Sequence, residues 1–256
     1  FLMIRRPPIS TLSSSSAASD VYKRQAKVLC LSNGLGIHQA LLTALKYQSE
    51  SKSESSNEKH GRQLLQGVSS DGARLDQPFK VKHTGLGHTY VGCYEADKLS
   101  ATDSSVQALQ PLAGLELANL FLNTSIVNDI EERIWHKALV NCVINPLTAF
   151  YQCTNGELFI NAERETKVHT LCEELAHIIK QTHCPISTTT AQIISDTKTI
   201  ALLTEKNTSS MLTDLKNGRA LELEHLNRYF IRRAEQYAVP CPINLDLVNT
   251  LTKASK

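Results

Sequence analysis

Residues 131–158 read EERIWHKALVNCVINPLTAFYQCTNGEL, and the rest of the chain is understood from them. From Ile134 to Ile144 apolar side chains occupy nearly every side of a helix: Ile134, Trp135, Ala138, Leu139, Val140, Cys142, Val143 and Ile144. A helix apolar all round is a buried one. Yet Lys137, Asn141 and Asn145 recur at i, i+4 and i+8, a spacing that stacks side chains along one face. At roughly 100° per residue the three fall within about 80° of one another. An amine and two amides in a dry core cost on the order of a few kcal/mol each when unpaired. Two arrangements meet that demand. Either the stripe is an ordinary polar face, or it lines a cavity that a polar ligand fills. The residue before a proline is pushed out of the α region, so Pro146 is expected to stop or bend the helix and leave Asn145 at its end.

The same stretch carries a resemblance. KALVNCVINPLTAFYQCTNGEL, residues 137–158, is similar to the signature of ketopantoate reductases (2-dehydropantoate 2-reductases), K-x-x-x-N-x-x-x-N-P-L-T-A followed by N-G-E-L. The match is nearly unbroken. It implies that Lys137 is the catalytic proton donor and that Asn141, Asn145 and Asn155 hydrogen-bond the substrate. An asparagine offers donors and an acceptor without adding charge. A buried ammonium stabilises a developing alkoxide and surrenders a proton readily, because burial lowers a lysine's pKa.

Two further stretches of the second half bear on this. Asn207-Thr208-Ser209-Ser210-Met211 could hold a carboxylate with hydroxyl and backbone donors, or could simply cap a helix. It resembles the family's N-x-S-S-M-L-x-D, which implies substrate binding by Asn207, Ser209 and Ser210. Asp214 completes that motif, as an orienting or structural carboxylate. Glu222 is one of many helix glutamates by composition. The resemblance alone aligns it with an active-site glutamate, expected to face the cofactor.

The first half shows strand, tight turn and helix in AKVLCLSNGLG and HQALLTAL, the unit of a nucleotide-binding α/β sheet. The family has a similar H-N-G-x-G, whose asparagine lies near the nicotinamide; that role falls on Asn33, with Ser32 in place of the histidine. Strand signals return at Val68, Phe79 with Val81, and His88 to Val91, separated by glycine turns. This region resembles the family's G-x-T-x-x-A-x-x-x-x-G, in which the alanine touches the cofactor. Ala73 inherits that role, although Ser69, Ser70 and Asp71 depart from the usual residues.

The expected architecture is therefore α/β plus all-α. The C-terminal part of a Rossmann-type dinucleotide-binding domain (residues 26–124) precedes an all-helical 6-phosphogluconate-dehydrogenase-C-terminal-like domain (residues 125–256). In the first, Leu109 to Leu122 has helical spacing, and residues 47–63 are an almost wholly polar surface loop. In the second, Val168, Leu171, Cys172, Leu175, Ile178 and Ile179 mark one helix, and residues 220–239 a single longer one with Leu221, His225, Leu226 and Phe230 on one side. Residues 1–25, FLMIRRPPISTLSSSSAASDVYKRQ, are rich in Ser and Arg and read as a non-native, adapter-like leader, expected to be disordered. A transit peptide has a similar composition.

Composition narrows the function classes. A formal charge of +2 gives no electrostatic reason for nucleic acid or an anionic membrane surface. No apolar run approaches the ~20 residues that span a bilayer. The seven cysteines are scattered, without a C-x-x-C pair, which argues against a zinc site and for a reducing cytoplasm. No metal is expected. The resemblance implies NADPH as cofactor, a 2-keto acid as substrate, a monomer or homodimer, and formation of pantoate on the route to pantothenate and coenzyme A. G-x-G-x-x-G, the pyrophosphate cradle, is not among the 256 residues. By this reading the chain enters the dinucleotide domain partway, and the polypeptide alone is expected to bind NADPH poorly and to be inactive. The alternatives are a related 2-hydroxy-acid dehydrogenase, a non-enzymatic helical binding module, and a scaffold that uses the polar loop.

Overall fold

The computed structural model describes residues 2–4, 28–41, 43, 64–77, 80–93 and 123–255. The polar run 47–63, the expected helix at 109–122, and all of 1–25 except Leu2–Ile4 lie outside the described residues. The chain divides into two compact units. One comprises Phe1–Asn33 and Ile37–Ile134, the other Gly34–Gly36 and Trp135–Lys256.

The first unit is built on β1 (Leu2–Ile4), β2 (Val28–Cys30), β3 (Leu64–Ser69), β4 (Gly72–Gln77), β5 (Lys80–Gly85), β6 (Thr89–Cys93) and β7 (Thr124–Ile126). Five strands form one sheet in the order β1-β2-β3-β6-β7, and β4 and β5 form a separate antiparallel hairpin. β1, β2 and β3 run parallel, with Leu2 opposite Val28 and Val28 opposite Leu64. β6 returns antiparallel to β3, and β7 adds parallel to β6. Val28, Leu29 and Cys30 are all buried, the continuous apolar run of a strand covered on both faces. Ile37 packs with Val28 and Cys30, and residues 37–41 are helical. Leu2–Ile4, at the start of the expected leader, is thus a sheet strand.

Ser69, Ser70 and Asp71, which depart from the family pattern, bond one another and the strand opposite. Asp71 Oδ1 accepts from the Gly87 N–H at 2.9 Å, and Asp71 Oδ2 accepts from Ser69 Oγ at 2.9 Å. Ser70 Oγ accepts from the His88 N–H at 2.8 Å. A Cβ on Gly87 would lie 2.3 Å from the Asp71 nitrogen, so only glycine allows this approach.

The second unit is helical. It holds α1 (Ile130–Tyr151) from Trp135 on, a 3-10 turn at Gly156–Phe159, α2 (Ala162–Gln181), α3 (Thr190–Leu203), α4 (Ser210–Lys216), a 3-10 turn at Glu222–His225, α5 (Asn227–Gln236) and α6 (Pro242–Ala254). The starts of α2, α3 and α4 follow capping chemistry. Asn161, Thr189 and Ser209 accept from the N–H groups of Arg164, Gln192 and Leu212. The six α2 positions expected from their spacing are all buried. Trp135 meets Phe230 edge-on, with ring centroids 6.0 Å apart.

Three further expectations are corrected. Pro146 does not end the central helix, which continues through it to Tyr151. A proline inside a helix removes one N–H and crowds the carbonyl four residues back, at a cost of about 3 kcal/mol. That carbonyl belongs to Cys142, which is fully buried, and an orphaned buried acceptor costs about 1–3 kcal/mol more. Here Asn227 Nδ2 donates to the Cys142 oxygen at 2.9 Å, so the helix is carried across the break from outside. Second, residues 220–239 are not one helix. The Leu35 N–H donates to the His225 oxygen at 2.7 Å, and Tyr229 bonds back to Leu226 instead. Leu226 leaves helical geometry with φ −116° and ψ −109°, and α5 starts afresh at Asn227. Third, Thr124–Ile126 is a strand, so the region from Ser125 onward is not wholly α-helical. The β-branched Thr124 and Ile126 suit it.

Candidate functional site

The helical unit gathers most of the expected site residues. α1 carries Lys137, Asn141 and Asn145 along one face and continues through Pro146. Lys137 and Asn141 are half-buried, whereas Asn145 is 9% exposed. Thr148 follows Lys137 by eleven residues, which at about 100° per residue returns it to the same face.

Thr148 ties this stripe to the next element. Its Oγ1 lies 2.7 Å from Ser209 Oγ and 2.7 Å from the Ile144 carbonyl oxygen. Ser209 also caps α4, accepting from the Leu212 N–H at 3.1 Å. Ser209 is therefore buried and committed to structure. Ser210, the first residue of α4, and Asn207 are exposed. Asp214 is buried and pairs with Arg219, Nε to Oδ1 at 2.9 Å, consistent with a structural carboxylate.

The N-G-E-L segment docks on the same loop. The Asn155 N–H donates to the Asn207 oxygen at 3.0 Å, and the Gly156 N–H to the Glu205 oxygen at 3.1 Å. Asn155 Nδ2 donates to Thr204 Oγ1 at 2.9 Å. Asn155 Oδ1 is buried and accepts no hydrogen bond from the described residues. A buried amide oxygen in that state favours any hydroxyl or amine donor brought to it.

Burial among protein atoms pulls the Lys137 pKa below the ordinary lysine range, and the Glu222 carboxylate opposes the shift. Charge at Glu222 is thus felt at Lys137 across the helical unit. Glu222 opens the 3-10 turn held by Gly34–Gly36. The Leu35 N–H donates to the His225 oxygen, and His225 Nδ1 lies 3.2 Å from the Leu35 oxygen. Gly34 has φ +93°, and a Cβ there would lie 2.3 Å from the His225 oxygen. Its glycine is required by this packing.

The two other expected cofactor residues belong to the first unit. Asn33 is exposed and follows β2, at the carboxyl end of a parallel strand pair. Ala73 is exposed on β4, opposite His83 on β5, where the register shifts. Sequence reasoning missed Thr148, Thr204 and Asn227. The eleven-residue spacing could have found Thr148. The other two act through partners distant in the chain and leave no local signal.

Two family models match the chain: "Ketopantoate reductase PanE/ApbA" over residues 9–96 and "Ketopantoate reductase PanE/ApbA C terminal" over residues 129–255. A 2-dehydropantoate 2-reductase of Archaeoglobus fulgidus is 28% identical over 242 residues, covering 94% of this chain and 72% of that protein. One of Yersinia pestis is 29% identical over 232 residues, covering 90% of this chain and 65% of that protein. Among solved structures, a D-mandelate dehydrogenase with NADH and anilino(oxo)acetate superposes with a TM-score of 0.74 at 20% identity, over 94% of this chain and 71% of that one.

Proposed function

From membership of the chain in the ketopantoate reductase family, we propose that its helical unit holds and protonates 2-dehydropantoate during NADPH-dependent reduction to (R)-pantoate, on the route to pantothenate and coenzyme A. One observation carries the assignment of roles. Lys137 sits on the partly buried helix face shared with Asn141 and Asn145, its ammonium destabilised by burial and supported by Glu222.

The chemistry follows from that placement. Reduction of a 2-keto acid needs a hydride at the carbonyl carbon, a proton at the oxygen, and a carboxylate held so that one face is presented. The nicotinamide supplies the hydride when bound. Lys137 donates a hydrogen bond to the carbonyl oxygen and its proton to the alkoxide. A depressed pKa favours that transfer, and Glu222 keeps the group protonated beforehand. Asn141 and Asn145 fix the carbonyl and carboxylate. The acceptor at Asn155 Oδ1 suits a substrate hydroxyl, and Asn207 and Ser210 are exposed and offer donors. Ser209 acts through them, as the cap that sets α4.

The described residues fit the nicotinamide end of a cofactor. Asn33 stands exposed at the carboxyl end of parallel β2, the edge at which α/β sheets take ligands. The family resemblance assigns to the cofactor Asn33 and Ala73, of the sheet unit, and Glu222, of the helical unit. From its scattered cysteines, without a C-x-x-C pair, we assign the enzyme to a reducing cytoplasm. Among the described residues no helix is long and apolar enough to cross a membrane.

Turnover tests this. A chain completed with the G-x-G-x-x-G segment is given NADPH or NADH with 2-dehydropantoate, and loss of reduced nicotinamide is followed. NADPH and 2-dehydropantoate are expected to be preferred, and Lys137→Ala to lower kcat by about 10²–10⁴-fold, the range for losing a positioned acid. An unchanged kcat removes Lys137 from the role. Preference for another 2-keto acid moves the assignment to a related 2-hydroxy-acid dehydrogenase.

A further inference from the structure

We propose that Asn227 is a positioning residue: its side-chain amide braces α1 at Pro146 and so sets Asn145 against Lys137 and Asn141. The inference rests on the reductase reading above for what the stripe does, and on hydrogen-bond geometry for the brace itself. Pro146 leaves the Cys142 carbonyl without its helical donor. Cys142 and Asn227 are both fully buried, so water does not replace it. Asn227 Nδ2 does, at 2.9 Å, and the same nitrogen donates to Asn244 Oδ1 at 2.7 Å.

The orientation of that amide is fixed from a distance. Glu174 Oε1 accepts from the Asn244 N–H at 2.7 Å and from Asn244 Nδ2 at 2.9 Å, and Glu174 Oε2 accepts from the Ile243 N–H at 2.7 Å. A carboxylate accepts and does not donate. Asn244 must therefore turn its NH₂ to Glu174 and its oxygen to Asn227. Asn227 must turn its NH₂ to Asn244, and its second proton then points at Cys142. A carboxylate on α2 thus sets, through two asparagines, a backbone bond in the middle of the catalytic helix. Asn227 also lies five residues after Glu222, directly behind the 3-10 turn. The same bond joins that turn to the helix carrying Lys137.

Lys137 and Asn141 lie before the proline and Asn145 beside it. Without the brace, α1 is free to hinge between them, and a small misplacement of a positioning group costs heavily. The test uses the chain completed with the G-x-G-x-x-G segment, as Asn227→Leu, Pro146→Ala and the double variant. Alanine at 146 restores an N–H for Cys142, so the brace becomes dispensable. Asn227→Leu is expected to raise KM for 2-dehydropantoate about tenfold with a smaller change in kcat. It is also expected to speed amide exchange over residues 143–149. The double variant is expected to recover both. A folded Asn227→Leu protein with parental KM and exchange overturns the proposal, as does a double variant no better than the single. If Asn227→Leu does not melt cooperatively, the double variant decides: a folded protein with parental KM upholds the brace, and loss of folding in both overturns it. A parent that does not turn over 2-dehydropantoate overturns the reductase reading but not the brace, which the exchange pattern alone then decides.

Discussion

At the scale of single residues, Lys137 sets activity against stability. Its pKa is lowered by burial, so the folded state binds its proton less tightly than the unfolded chain does. Between the lowered pKa and the ordinary value the unfolded chain holds the extra proton, and stability rises with pH. Below the ordinary lysine pKa the burial of Lys137 is therefore a cost to stability. Lys137→Met is expected to lose turnover yet melt no lower than the parent in a thermal scan; a lower midpoint would show that Lys137 is a net structural asset. As proton donor, Lys137 must be charged, so kcat should fall as pH rises through its lowered pKa. Glu222 raises that pKa, and Glu222→Gln should move the alkaline limb to lower pH. A limb that stays in place would separate Glu222 from Lys137. His38 gives a second pH dependence. Burial lowers its pKa from 6.5 to about 4. Within that window the unfolded chain is protonated and the folded chain is not, so stability is lost as pH falls. The loss is at most about 3 kcal/mol by linkage, and His38→Leu should flatten the slope in denaturant titrations between those pH values.

At the scale of elements, what was legible and what was not separate by the range of the interactions. The α2 core positions follow from helical period alone, and all six are buried. The polar stripe on α1 was equally local. The continuation of α1 through Pro146 was not, because its support comes from Asn227, 85 residues along the chain from Cys142. Nor was the break at Leu226, which exists because Leu35 takes the His225 carbonyl, an interaction across 190 residues by the return contact. Periodicity describes an element's own preferences, and tertiary partners override it at these two points. The motif N-G-x-G showed the same limit, since the requirement at Gly34 arises from His225 packing. Gly34→Ala should be strained twice, by φ +93° and by the 2.3 Å approach to the His225 oxygen. A destabilisation of about 1–3 kcal/mol is expected for such a conformation, measured by denaturant unfolding, together with a shift in the Lys137-dependent pH profile as the Glu222 turn moves. A Gly34→Ala protein of parental stability would contradict the packing.

At the scale of the whole molecule, the division into units does not follow the chain. Gly34–Gly36 belongs with the helical unit although 98 residues separate Gly36 from Trp135 in sequence numbering, and the sheet unit takes the first residues of α1. The helical unit nonetheless carries its own buried core, its own caps at α2, α3 and α4, and the Glu174–Asn244–Asn227 chain that holds α1. These are all interactions within residues 135–256. What residues 135–256 lack in isolation is the Leu35 donor to His225. A fragment of residues 129–255 should therefore fold to a helical domain with a cooperative thermal transition, since its apolar faces bury one another. Its 3-10 turn at Glu222–His225 should be loosened, because one carbonyl partner is missing. Circular dichroism should show the helix content of α1 to α6, and amide exchange should be fast at the turn and slow at α2. The pH dependence of Lys137 acylation then reports whether Glu222 still acts on it: titration below that in the full chain is expected once the turn is released. A fragment that melts without cooperativity would mean that residues 129–255 do not complete a core by themselves, and a fragment with the full chain's Lys137 titration would mean that Gly34–Gly36 does not set the position of Glu222.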